Sequence, residues 1–152
     1  MFPKTWTHFF SYSQFYKAVE FTRYKEKLPE SAYDLRYYYY EGWFSDLSGY
    51  HAAFTAEDYE MMKENQLNMY DNHSPRKYVY DGIEKKYLDR EEIKAMKIDY
   101  LDVLLPEDKG DDQFYFLAYD FPTLSSEVYE YDAVLCNDET NEIIELSCRI
   151  CY

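Results

Sequence analysis

The sequence predicts an α+β domain: about three helices with a mainly antiparallel sheet of five to six strands, the last three forming a C-terminal meander. Three observations carry this. Capped segments with apolar residues at helical spacing recur between segments dense in β-formers. The pair Asp81-Gly82 fits a tight hairpin, which demands antiparallel pairing. Near the end, Ile144, Leu146, Cys148 and Ile150 alternate with Glu145, Ser147 and Arg149, the pattern of a half-exposed antiparallel strand. Helices and strands are partly segregated along the chain, which separates α+β from α/β. The 152 residues fit one globular domain, 1–152. Such a domain buries roughly 68–70% of its unfolded surface and needs no metal or disulfide to hold it.

Taken in order, Ser11 and Gln14 have capping-box spacing and start a helix over about 13–28, with Phe15, Ala18, Val19 and Thr22 inward and Pro29 ending it. Leu35–Phe44 reads as a strand with Tyr37 and Tyr39 on one face and Tyr38 and Tyr40 on the other. Ser48-Gly-Tyr-His51 looks like a turn. Thr55 and Asp58 cap a second helix to about Gln66, with Tyr59, Met62 and also Met61 inward. Lys77–Lys86 is the Asp-Gly hairpin. Asp89 caps a third helix, in which Ile93, Met96, Tyr100 and Leu104 share a face and Pro106 is the stop. Strands over 114–121, 127–136 and 142–151 complete the domain, the last two joined around Asn137–Asn141.

Charge is the most informative bulk property. The net charge is −14, but residues 1–97 hold 14 of the 16 Lys+Arg and 16 of the 30 Asp+Glu, a net of −2. Residues 98–152 hold only Lys109 and Arg149 against 14 carboxylates, a net of −12. That asymmetry suggests an acidic face and a basic partner. Direct nucleic-acid binding needs the opposite sign, and so does an anionic membrane surface. The first residues lack the apolar run of a signal peptide, and the longest strongly apolar run, Phe114–Tyr119, is far short of the ~20 residues of a membrane helix. With an odd count of 3 cysteines, the expected setting is a reducing cytoplasm.

The candidate partner-binding residues are the carboxylates Asp99, Asp102, Glu107, Asp108, Asp111, Asp112, Glu130, Asp132 and Glu145, with Tyr115 and Tyr119 interleaved. Glu130 and Asp132 lie two apart on a strand, about 6.6–6.8 Å, similar to the repeat of charges along a nucleic-acid backbone. The chain has 20 tyrosines, and a ring beside a carboxylate suits gripping Arg and Lys. The plainer reading is that the carboxylates merely solvate the surface and most tyrosines serve the core. The expectation is therefore a small acidic intracellular protein, monomeric or a small homo-oligomer, that binds and blocks a basic protein surface. It would act as a nucleic-acid mimic inhibiting a nuclease or defence complex, or as an immunity partner of a basic toxin. The alternative is a small-molecule-binding domain with a pocket lined by Tyr37, Tyr39 and Trp43.

Other chemistry finds less support. Cys148-Arg-Ile-Cys151 has CxxC spacing, but residues three apart on a strand face opposite sides. Zinc would need Cys136 and a histidine (His8, His51 or His73) as well. The turn Asp108–Asp112 lacks the alternating ligands of a calcium loop. No cofactor is expected. The histidines have no neighbours in a recognised triad motif, and no motif names a reaction, so an enzyme ranks below an interaction protein.

Overall fold

The computed structural model describes residues 5–9, 28–71, 77–89, 91, 101–106, 113–120 and 128–151. These residues form seven strands and two helices: β1 (Thr5–Phe9), β2 (Tyr33–Glu41), β3 (Ser45–Ala53), α1 (Ala56–Asp71), β4 (Lys77–Val79), α2 (Leu101–Leu104), β5 (Tyr115–Asp120), β6 (Val128–Asn137) and β7 (Glu142–Cys151). The strands make one sheet in the order β1-β2-β3-β7-β6-β5-β4, with antiparallel pairing throughout. The α+β class and the β5–β6–β7 meander agree with the sequence reading. Among the described residues there are two named helices where three were expected. The segment 13–27 and residues 92–100 of the third expected helix lie outside the described residues.

The period-2 alternation of the strands loads both faces with apolar side chains. On one face, here the first face, Tyr37, Tyr50, Ala118, Val134, Cys136 and Ile143 pack beneath Tyr59 and Met62 of α1. On the second face, Phe116, Tyr131, Leu135, Ile144, Leu146 and Cys148 pack beneath Leu101 and Leu104 of α2. The Thr55 hydroxyl accepts the Asp58 N–H at 3.3 Å and so supplies the expected cap of α1. The stripe facing the sheet is Tyr59, Met62 and Gln66, at helical spacing, which leaves Met61 44% exposed rather than inward. Asp89 Oδ1 accepts the Glu91 N–H at 2.9 Å, as a cap for the third helix should.

Two turn readings are corrected. Ser48–His51 lies in the middle of β3, and the chain reverses instead at Gly42-Trp43-Phe44, closed by the Gly42 N–H to the Ser45 carbonyl at 2.7 Å. Gly49 belongs in that strand because its neighbours leave no room for a side chain. A Cβ there would sit 2.6 Å from Leu104 Cδ1 and 2.8 Å from the Glu145 carbonyl oxygen. Asp81-Gly82, with Gly82 at φ 86°, turns the chain outward without making a hairpin. Both flanks pair with the same edge of β5. Lys77–Val79 lie opposite Asp120–Ala118, and Tyr87 bridges Tyr115. Further backbone hydrogen bonds tie the flanks to β5 and the residue before it: the Tyr80 N–H donates to the Leu117 carbonyl, the Phe116 N–H to the Lys86 carbonyl and the Leu88 N–H to the Phe114 carbonyl.

Candidate functional site: an acidic strip beside an aromatic hairpin tip

Register places the expected carboxylates on particular faces. Across β6 and β7, Glu130 lies opposite Arg149, Asp132 opposite Ser147 and Val134 opposite Glu145, so Glu130, Asp132 and Glu145 share the first face. Asp120 lies opposite Asp132, and Asp46 lies opposite Arg149. Glu145 sits at the end of this face covered by α1, where its Oε2 accepts Gln66 Nε2 at 3.0 Å. Glu130 and Asp132 lie beyond the helix and are exposed. With half-buried Asp120 and Asp46 they form a strip across β5, β6, β7 and β3. Its cation among the described side chains is Arg149, whose Nε meets Glu130 Oε1 at 3.0 Å. Both partners are about half exposed, so solvent screens the pair. Asp132 is exposed by accessible area. Even so, partial desolvation by the neighbouring strands and the charges of Asp120 and Glu130 push its carboxyl upward, against a hydrogen bond with Ser147. The like charges of the strip therefore feel one another.

Other predicted residues fall elsewhere. Asp102 is exposed on α2, which covers the second face, so it cannot extend the strip. Tyr115 is 1% exposed, so its ring is part of the core and not of an outer surface. Tyr119 is half-buried on the second face, stacked on Tyr78 with centroids 5.0 Å apart. Asp99, Glu107, Asp108, Asp111 and Asp112 lie outside the described residues.

At the same end of the sheet stands a feature that the sequence reading misassigned. Trp43 is 90% exposed and Phe44 69% exposed, side by side at the β2–β3 tip and two to three residues from Asp46. Trp43 therefore lines no pocket, and Tyr37 and Tyr39 are stacked at 6.5 Å with Tyr37 fully buried. Among the described residues, these three do not converge on a common cavity. A groove of about 440 Å³ does exist elsewhere, lined by Tyr78, Asp81, Ile83, Glu84 and Lys86. Two period-2 segments separated by Gly42-Trp43-Phe44 were a readable signal for the tip.

A second polar constellation has a structural task. Asp138, in the β6–β7 turn, accepts Tyr59 Oη at 2.6 Å, Tyr115 Oη at 2.8 Å, Lys63 Nζ at 3.1 Å and Lys85 Nζ at 3.0 Å. Burial pushes its carboxyl up, but these four donors outweigh burial and hold it well below the usual carboxylate range. Burial, then the neighbouring Cys136 and Asp138, push both tyrosines well above their ordinary value. One carboxylate of the acidic third is thus neutralised by lysines from the first 97 residues.

The Cys151 side chain of the CxxC spacing lies outside the described residues, and Cys136 and Cys148 do not approach each other. Cys136 packs on the first face and Cys148 on the second, and burial pushes both thiols up to about 12. A third constellation, Asp34, His51 and Glu142, places three possible ligand atoms within 4.8 Å of one another. None of the described helices is long and apolar enough to cross a membrane. Comparison of the chain with protein-family models, curated proteins and solved structures gave no match.

Proposed function

We propose that this protein is an interaction domain that seats the Trp43–Phe44 tip in an apolar notch of a basic partner protein, with the strip Asp46, Asp120, Glu130 and Asp132 facing lysines and arginines around that notch. The observation that carries the reading is the exposure of two adjacent large aromatics at one hairpin tip. Exposed apolar patches rimmed by polar groups mark interaction sites, and tryptophan is among the commonest hot-spot residues. The acidic strip supports a cationic partner, because complementary charge steers encounter and rejects acidic competitors. The partner class remains the one expected from charge: a nucleic-acid-binding enzyme, a component of a defence complex, or a basic toxin. The finer picture of an inhibitor or immunity protein rests on this same surface.

The test is binding to a panel of purified basic nucleases and nucleic-acid-binding proteins across a salt series, beside an acidic protein as control. Expected is a complex that weakens as salt rises. Trp43→Ala should weaken it about thirtyfold, the size of a 2 kcal/mol hot spot, without changing the melting temperature. Asp132→Asn with Glu130→Gln should slow association. No complex with any basic member at low salt, or one indifferent to Trp43→Ala, sinks the reading. Self-association through the tip, seen by light scattering and abolished by Trp43→Ala, would replace the basic partner with a second copy.

A further inference from the structure

We propose that Asp34, His51 and Glu142 form a binding site for a first-row divalent cation, best matched to Zn²⁺. The site lies at the end of the sheet away from the Trp43 tip and does not depend on the binding surface. It draws one residue from each of the adjacent strands β2, β3 and β7. Register shifts between Tyr33 and Arg36 interrupt the β2–β3 ladder, and Asp34 within that bulge has φ 48°. Bulges of this kind re-aim a residue, and aspartate tolerates the left-handed conformation.

His51 is completely buried. Its Nδ1 lies 2.8 Å from the Asp34 carbonyl oxygen, which can only accept, so Nδ1 carries the proton and donates. Nε2 then faces Glu142 Oε1 at 3.1 Å. An imidazole lone pair opposite a carboxylate, both out of water, requires a positive species between them. A proton is one occupant. A metal ion is the other, and the surroundings suit it in three ways.

First, zinc bonds to His nitrogen and carboxylate oxygen run about 2.0–2.2 Å, so two ligands on one ion lie within roughly 4 Å of each other. Nε2 and Oε1 already satisfy that, and no pair in the triplet exceeds 4.8 Å, so the ligand atoms must draw together by at most about 1.5 Å to reach the roughly 3.3–3.6 Å spacing of a tetrahedral set. Second, the groups behind the ligands are in place. A metal-bound histidine commonly donates its other N–H to a backbone carbonyl, and bound carboxylates are themselves hydrogen-bonded. The Asp34 carbonyl serves the first role, and the Thr140 hydroxyl, donating to Glu142 Oε2, serves the second. Third, there is an entry route. The Asp34 side chain is one-third exposed, and its ion pair with Arg36 is long, at 3.6 Å to an Nε that makes no hydrogen bond. Imidazole with two carboxylates is a donor set that suits zinc and its neighbours, and three protein ligands leave one position for water.

The experiment uses the full chain, freed of metal by chelation and titrated with ZnCl₂ and CoCl₂. Expected is one equivalent bound with a rise in melting temperature. X-ray absorption should show nitrogen and oxygen ligands including one imidazole, with no sulfur. Asp34→Asn, which tolerates the same φ, should weaken affinity at least tenfold while leaving the metal-free melting curve nearly unchanged. Glu142→Gln, judged by the same titration, is the second variant. A proton-only site shows no binding at tenfold excess metal, and that result overturns the proposal. So does binding that Asp34→Asn and Glu142→Gln both leave intact, or sulfur ligation, which would place the ion at a cysteine.

Discussion

Replacing Asp138 by alanine should destabilise the protein by about 3 kcal/mol, although it removes a negative charge from a chain of net charge −14. Two effects oppose each other. Removing a carboxylate relieves general self-repulsion, which by itself would stabilise. Against that, the Tyr59 and Tyr115 hydroxyls donate to this carboxylate at 2.6 and 2.8 Å, and both residues are buried. A hydrogen bond to a charged group contributes about 1.5–3 kcal/mol, and a donor left buried without a partner is penalised further. The Asp138 side chain is one-third exposed, so the lower end of that range applies to each bond. The pairs to Lys63 and Lys85 add at most about 1 kcal/mol, since such pairs are screened. The local term wins, and the melting temperature should fall by roughly 6–12 °C for a domain of this size. Urea unfolding at pH 7 measures the loss directly.

The pH dependence fixes the sign. The folded carboxyl is held below its ordinary value, so its stabilisation is fully present above the unfolded value near 4 and is lost as pH falls through the lowered folded value. The gap between wild type and Asp138→Asn should be flat from about pH 5 to 8 and narrow below about pH 4. An Asp138→Ala protein within about 0.5 kcal/mol of wild type, or more stable than it, would refute the argument.

Two further outcomes follow from packing. Gly49→Ala should destabilise by about 1–3 kcal/mol, because the added methyl collides with Leu104 and the Glu145 carbonyl. Gly82→Ala meets no neighbouring atom and is penalised only by its positive φ, about 1 kcal/mol, so chemical denaturation should rank the two in that order. Cys136 and Cys148, buried with thiols pushed up to about 12, should resist a thiol reagent at pH 8 until urea unfolds the chain, as read by peptide mapping.

What the sequence determined by itself was whatever local spacing encodes. The alternation from Glu142 to Cys151 put Ile144, Leu146 and Cys148 on one face and Glu145, Ser147 and Arg149 on the other, because a strand has no other way to project its side chains. Thr55 announced its cap, and Asp89 its bond to the Glu91 N–H, because the groups they satisfy are two or three residues away. The neighbourhood of Glu130 and Asp132 was legible for the same reason. Only the tertiary structure decided what depends on partners distant in sequence. Gly49 reads as a turn residue until Leu104 and Glu145 occupy its side-chain space. Asp81-Gly82 reads as a hairpin until the edge of β5 draws both flanks onto itself. Asp138 counts as one more solvated acid until Tyr59, Lys63, Lys85 and Tyr115 converge on it. Composition counts charges and rings. Exposure and pairing arise only when strands far apart in the chain lie side by side, which is why Trp43 is an exposed tip residue and Tyr115 a core residue.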